Sequence, residues 1–151
     1  EKKLLWLDFL DGHEPTQEVV KLIDDPLVAF LDNLDKDNLL QDTTILFWSD
    51  HGNHIPIAPY NLNGYLHEQE RALPFLFVLL PPSLIPKYRD NLKANSQKLL
   101  GAHEIYNFLM TIPLGESSPD YKKSFLNALP SYNCKDIKIF SHFQECFCSG
   151  K

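Results

Sequence analysis

Asp50 and His51 stand side by side at the end of the apolar run Thr43–Trp48 ("TTILFW"), and Gly52 follows them. Both are expensive to bury and both can hold a metal. A carboxylate with an imidazole suits Zn or Mn, and the carboxylate alone also suits Ca. Successive side chains on a strand point to opposite faces, but where a strand dissolves into a turn two neighbours can converge on one ion, and a glycine permits the backbone that this needs. The competing reading is that Ser49 and Asp50 cap a following helix, with His51 an incidental polar neighbour. On these four residues the two readings stand level. Three further groups belong to the same chemistry. His13 lies in the turn "DGHEP", and His54 comes three residues after His51. Arg71 closes "HEQER", and its planar guanidinium fork fits a tetrahedral oxyanion. His67, Glu68 and Glu70 in that cluster read as a salt-bridged loop, because adjacent carboxylates repel an anion.

The elements that would position these groups follow from the hydrophobic pattern. "LLWLDFL" (4–10) is a short apolar run broken by Gly12 and Pro15, and is expected to be a strand. From Gln17 to Leu40 apolar residues recur at helical spacing, which predicts one broken or two consecutive helices, with Pro26 in a first turn. "TTILFW" is a continuous β-rich run of the kind covered on both faces in a parallel sheet, and "PFLFVLLPP" (74–82) is expected to be another buried strand. Between them lies a long Pro/Asn/Gly-bearing loop, a feature that in compact domains usually carries function or motion. Residues 85–112 alternate loop and helix. Strand, helix, strand is a βαβ unit, so the expected fold class is α/β with a mostly parallel sheet flanked by helices. Ligands of such sheets bind beyond the carboxyl ends of the strands, where Asp50 and His51 are placed.

Composition narrows the function. The chain has 151 residues, 44 % hydrophobic and 23 % charged, which is ordinary for a globular domain with a substantial core. A formal net charge of −6 with no Lys/Arg stripe argues against a reader of nucleic-acid phosphates. No apolar run approaches the roughly 20 residues that span a bilayer, and the first residues lack a signal peptide's apolar region. The missing initiator Met suggests a fragment, so any membrane association is expected only through an upstream segment. Cys134, Cys146 and Cys148 all lie near the C-terminus, in a tail that reads as stapled by disulfides. A metal site of Cys146, Cys148 and His142 is the alternative, but zinc clusters usually bring four ligands and a wider cysteine spacing. The chain is divided accordingly into 1–130 and a Cys-rich tail, 131–151.

"TTILFWSDHG" resembles the strand and metal-binding turn of the alkaline phosphatase and sulfatase superfamily, in which Asp and His of such a turn bind the catalytic metal. "DGHEP" is similar to that superfamily's histidine before a proline-containing loop, "HEQERALPFLFVLLP" to its Glu/Arg-rich approach to a Pro-led strand, and "GAHEIYNFLMTI" to a characteristic helix. The likeness runs from Leu4 to Ile112. The tail, with "LDNL" and "LPFLFVLLP", resembles one mainly animal, largely extracellular branch catalogued as a domain of unknown function.

The resemblance implies an alkaline phosphatase-like fold, present as a C-terminal partial domain, and a metal-dependent hydrolase of sulfate or phosphate esters. Asp50 and His51 would bind a divalent metal (Zn, Mn or Ca), and His13 would act as the catalytic and substrate-binding histidine, with His54 and Arg71 also contacting the ester. Two-metal members carry Asp-x-x-x-His in the His13 loop; here the residue four before His13 is Phe9, so a full second site is not expected. The superfamily's nucleophile and first-strand acidic ligand precede this segment, so the chain is expected to need an N-terminal half of the same domain as its partner and to be inactive alone. The expected location is extracellular or in the secretory-pathway lumen. The rival is a non-catalytic extracellular binding module that keeps the fold; a transferase working through the same covalent intermediate is a third reading.

Overall fold

The computed structural model describes residues 3–16, 18–52 and 71–133. It divides into two compact units, Leu4–Pro81 and a second that begins at Pro82 and includes Lys3.

In the first unit a 3-10 turn, Val19–Ile23, runs directly into helix α1, Asp24–Lys36. This is the broken helix that the spacing predicts. Asp24 and Asp25 occupy the first turn and Lys36 the last, the arrangement favoured by the helix dipole. Pro26 is tolerated there because a first-turn amide has no intrahelical acceptor. The chain leaves α1 through Asn38, whose φ of 57° is left-handed and suits a residue with a short amide side chain. A 3-10 turn, Leu39–Gln41, then delivers it to β1, Ile45–Trp48.

β1 pairs with β2, Leu76–Leu79, and the pairing is antiparallel, with Ile45 opposite Leu79 and Trp48 opposite Leu76. The expectation of a mostly parallel sheet is therefore corrected for the described residues, whose sheet is this two-stranded antiparallel pair. A continuous apolar run marks a strand with two covered faces but does not encode its direction, and here the strand that pairs comes from downstream. β2 also alternates where an all-buried strand was expected: Leu76 and Val78 are half-buried, whereas Phe75, Phe77 and Leu79 are exposed. Phe47, Phe75 and Phe77 form a row on one face, with successive ring centroids 5.1 and 5.8 Å apart.

Residues 4–10 carry no regular secondary structure, contrary to the strand expected there. Apolar content alone does not make a strand, since its backbone amides and carbonyls need a ladder partner. The segment is attached through side chains instead. The Trp6 ring meets Trp48 edge-on at 5.0 Å and 81°, and the Trp6 indole N–H donates to Asp8 Oδ1 at 2.8 Å.

The second unit holds most of the buried side chains. Helix α2, Ile85–Asn95, and helix α3, Ala102–Leu114, are followed by the 3-10 turns Gly115–Ser117 and Tyr121–Lys123. Pro86 sits in the first turn of α2. At the start of α3 the Glu104 carboxylate accepts the Gly101 N–H at 2.8 Å, satisfying an amide that precedes the helix. Gly115 ends the helix with φ +60°, a conformation strained for any other L residue. Tyr88, Phe108, Phe125, Leu126 and Leu129 are buried together with Asn95, Thr111 and Ser124. Phe108 stacks on Phe125 at 4.5 Å with the rings 7° from parallel. Among the described residues no helix is long and apolar enough to cross a membrane.

Candidate functional site

The ladder of β1 and β2 does not stop at its last paired residues. The Ser49 N–H donates to the Phe75 carbonyl at 3.2 Å, and the Gly52 N–H donates to the Arg71 carbonyl at 3.0 Å. The turn Ser49–Gly52 is thus tied at both ends to the segment that leads into β2. Two side-chain bonds close it from within. The Ser49 hydroxyl donates to the His51 carbonyl, and Asp50 Oδ1 accepts the His51 N–H at 3.0 Å.

This backbone sets the imidazole. His51 Nδ1 lies 2.7 Å from the Gly52 carbonyl. A carbonyl only accepts, so Nδ1 carries the proton, and in the neutral ring Nε2 then holds the lone pair. Nε2 stands 3.5 Å from Asp50 Oδ2. Two donors each about 2.1 Å from one ion across a tetrahedral angle stand about 3.4 Å apart, so the pair fits a shared divalent cation. The same pair forms an ion pair whenever the imidazole is protonated. The side chains are 83 % exposed at Asp50 and 45 % at His51, so the donors face solvent rather than a sealed core.

Arg71 lies beside this turn through its backbone carbonyl and is half-buried. His13 sits on a separate loop of the same unit, where its N–H donates to the Leu10 carbonyl at 2.9 Å. It does not join Asp50 and His51 in a three-donor group: among the described residues no three His, Cys, Asp or Glu side chains gather as a metal site. His54, Cys134, Cys146 and Cys148 fall outside the described residues.

Two contributors escaped the sequence reading. Ser49, by residue type a helix-cap candidate, donates its hydroxyl instead to the His51 carbonyl two residues on. Glu14, in the turn "DGHEP", accepts both the N–H and the hydroxyl of Thr16 at 2.6 Å through Oε2, and the Val19 N–H at 3.3 Å through Oε1. The Thr16 hydroxyl bond, followed by the backbone bonds, holds the Glu14 carboxyl below its ordinary range. Residue type alone does not signal such a clamp, because a glutamate at a turn can serve many geometries. The clamp fixes the chain immediately after His13 to the start of the first helical segment.

No curated protein and no solved structure matches the chain. A family model described as "Protein of unknown function (DUF229)" matches residues 4–150. With that match spanning nearly its whole length, the chain belongs to the DUF229 family, an alkaline phosphatase/sulfatase-like branch whose fold is expected to be alkaline phosphatase-like.

Proposed function

We propose that this chain is the C-terminal part of a metal-dependent hydrolase of sulfate or phosphate esters, working in the extracellular space or the secretory-pathway lumen. The observation that carries the reading is the pairing of His51 Nε2 with Asp50 Oδ2 at 3.5 Å, with Nδ1 directed at the Gly52 carbonyl. Family membership supports it, since the turn that holds the pair is the one that resembles the superfamily's metal turn.

In this reading Asp50 and His51 hold a divalent cation, whose chemistry is to lower the pKa of a bound nucleophile and to offset charge on the transferring group. The chain's own residues do the rest. The Gly52 carbonyl keeps the His51 proton on Nδ1, so that Nε2 presents its lone pair. Asp50 uses Oδ1 to accept the His51 N–H, which leaves Oδ2 as the ligating oxygen. Arg71 and His54 supply donors to the ester's oxyanion, and His13 contacts the same oxygens from its own loop. The nucleophile comes from the N-terminal half of the domain, the partner without which the chain does not turn over substrate.

The test is turnover of an aryl sulfate and an aryl phosphate by the full-length protein, before and after chelation, with an acceptor alcohol in a parallel sample. Chelator-sensitive release of the aryl alcohol from one ester supports the hydrolase. Transfer to the added alcohol in preference to water points to the transferase. Bound metal with no turnover of either ester points to the non-catalytic binding module.

A further inference from the structure

We infer that Ser49 is a positioning residue of the metal site, acting through the His51 carbonyl rather than on metal or substrate. This rests on the proposed metal role of Asp50 and His51. The backbone from Ser49 to Gly52 carries both donors, and its ends are already tied by the amides of Ser49 and Gly52 to Phe75 and Arg71. The Gly52 N–H that bonds Arg71 belongs to the peptide between His51 and Gly52, so that peptide is held on its N–H side, and its carbonyl side still has to be fixed because the Gly52 carbonyl that accepts from His51 Nδ1 lies one residue beyond it. The Ser49 hydroxyl donates to the carbonyl of that same peptide. Asp50 and His51 also bond within the turn, but they are the proposed ligands themselves; Ser49 is the side chain that orders the turn without being one of them. Its loss leaves that peptide held by its N–H alone, on the Arg71 carbonyl, and loosens with it the Gly52 carbonyl that selects the tautomer of His51.

Partners that orient a metal-binding histidine typically matter by 10–100-fold in affinity, and an effect through one intervening peptide is expected near the lower end, about tenfold. Ser49→Ala removes the hydroxyl and Ser49→Thr restores it on a branched side chain that the end of a strand accommodates. Each variant is prepared as full-length protein and checked for an unchanged melting temperature. Zn2+ affinity is then measured against a competing chelator, and nitrogen NMR of the metal-free protein reports the tautomer of His51. The expected result is about tenfold weaker Zn2+ binding and a mixed tautomer in Ser49→Ala, with both restored in Ser49→Thr. Wild-type binding with an unchanged Ser49→Ala, or an equal loss in both variants, overturns the role of the hydroxyl. A wild-type protein that binds no Zn2+ overturns the metal reading, and the tautomer measurement then still decides whether Ser49 holds His51.

Discussion

Asn95 is 2 % exposed, and both its amide nitrogen and its amide oxygen are hydrogen-bonded. Nδ2 donates to the carbonyls of Phe125 at 2.9 Å and Asn127 at 2.7 Å, while Oδ1 accepts the Leu129 N–H at 3.1 Å. One side chain at the end of α2 therefore satisfies three backbone groups of a segment that has no strand or helix of its own. Asn95→Ala leaves those groups without their partner. At about 1 kcal/mol of net stability per hydrogen bond, and up to about 3 for a buried group left unsatisfied, the loss should be about 3 kcal/mol. Asn95→Asp sharpens the argument because it preserves shape and the acceptor facing Leu129. It nevertheless turns an oxygen toward two carbonyls, so it should cost more than alanine despite being nearly isosteric. Urea unfolding of the two variants followed by circular dichroism measures both. A loss below about 0.5 kcal/mol in Asn95→Ala, or an aspartate variant more stable than the alanine one, would refute the claim that this amide holds residues 125–129 in place.

Other outcomes follow from the same kind of reasoning. Phe108 is 1 % exposed and stacked on Phe125, so Phe108→Ala should lower stability by about 3–5 kcal/mol in the same urea assay, whereas Phe77→Ala, at an exposed position, should do so far less. The Glu14 carboxyl is held below its ordinary value of 4.5, so the clamp on Thr16 is fully present above that value and is lost as pH falls through the lowered one; the Thr16 amide should exchange faster there, beyond the intrinsic pH trend, and Glu14→Gln should abolish the transition. Cys134 is expected to pair with Cys146 or Cys148, a closure typically worth about 3 kcal/mol, with the third cysteine bonded outside this chain. Mass spectrometry of secreted protein with and without reductant reads this directly, and three free thiols would contradict both the staple and the extracellular location.

Periodicity located α1, and the proline in its first turn, because an amphipathic helix writes its own spacing into the chain. Strand pairing was not legible in the same way. "TTILFW" announces burial, but whether its neighbour is upstream or downstream depends on residues far away in sequence, and β2 rather than residues 4–10 took that place. Residue type and spacing marked Asp50 and His51 as able to hold a metal but left helix capping level with that reading, and the resemblance of the turn tipped the choice. They did not reveal how the turn is held. The Ser49 and Glu14 contacts depend on backbone angles over two to five residues, and a serine or glutamate at a turn serves many such geometries equally well.

The metal content of the full-length protein beside its Asp50→Ala variant, by elemental analysis after exhaustive dialysis, bears most directly on the proposed site. Losing the carboxylate that faces His51 Nε2 at 3.5 Å removes one of two adjacent donors. The expected result is a stoichiometric divalent metal in the wild type and a marked loss of it in the variant. Equal metal in both, or none in either, would contradict the assignment of Asp50 and His51 as ligands.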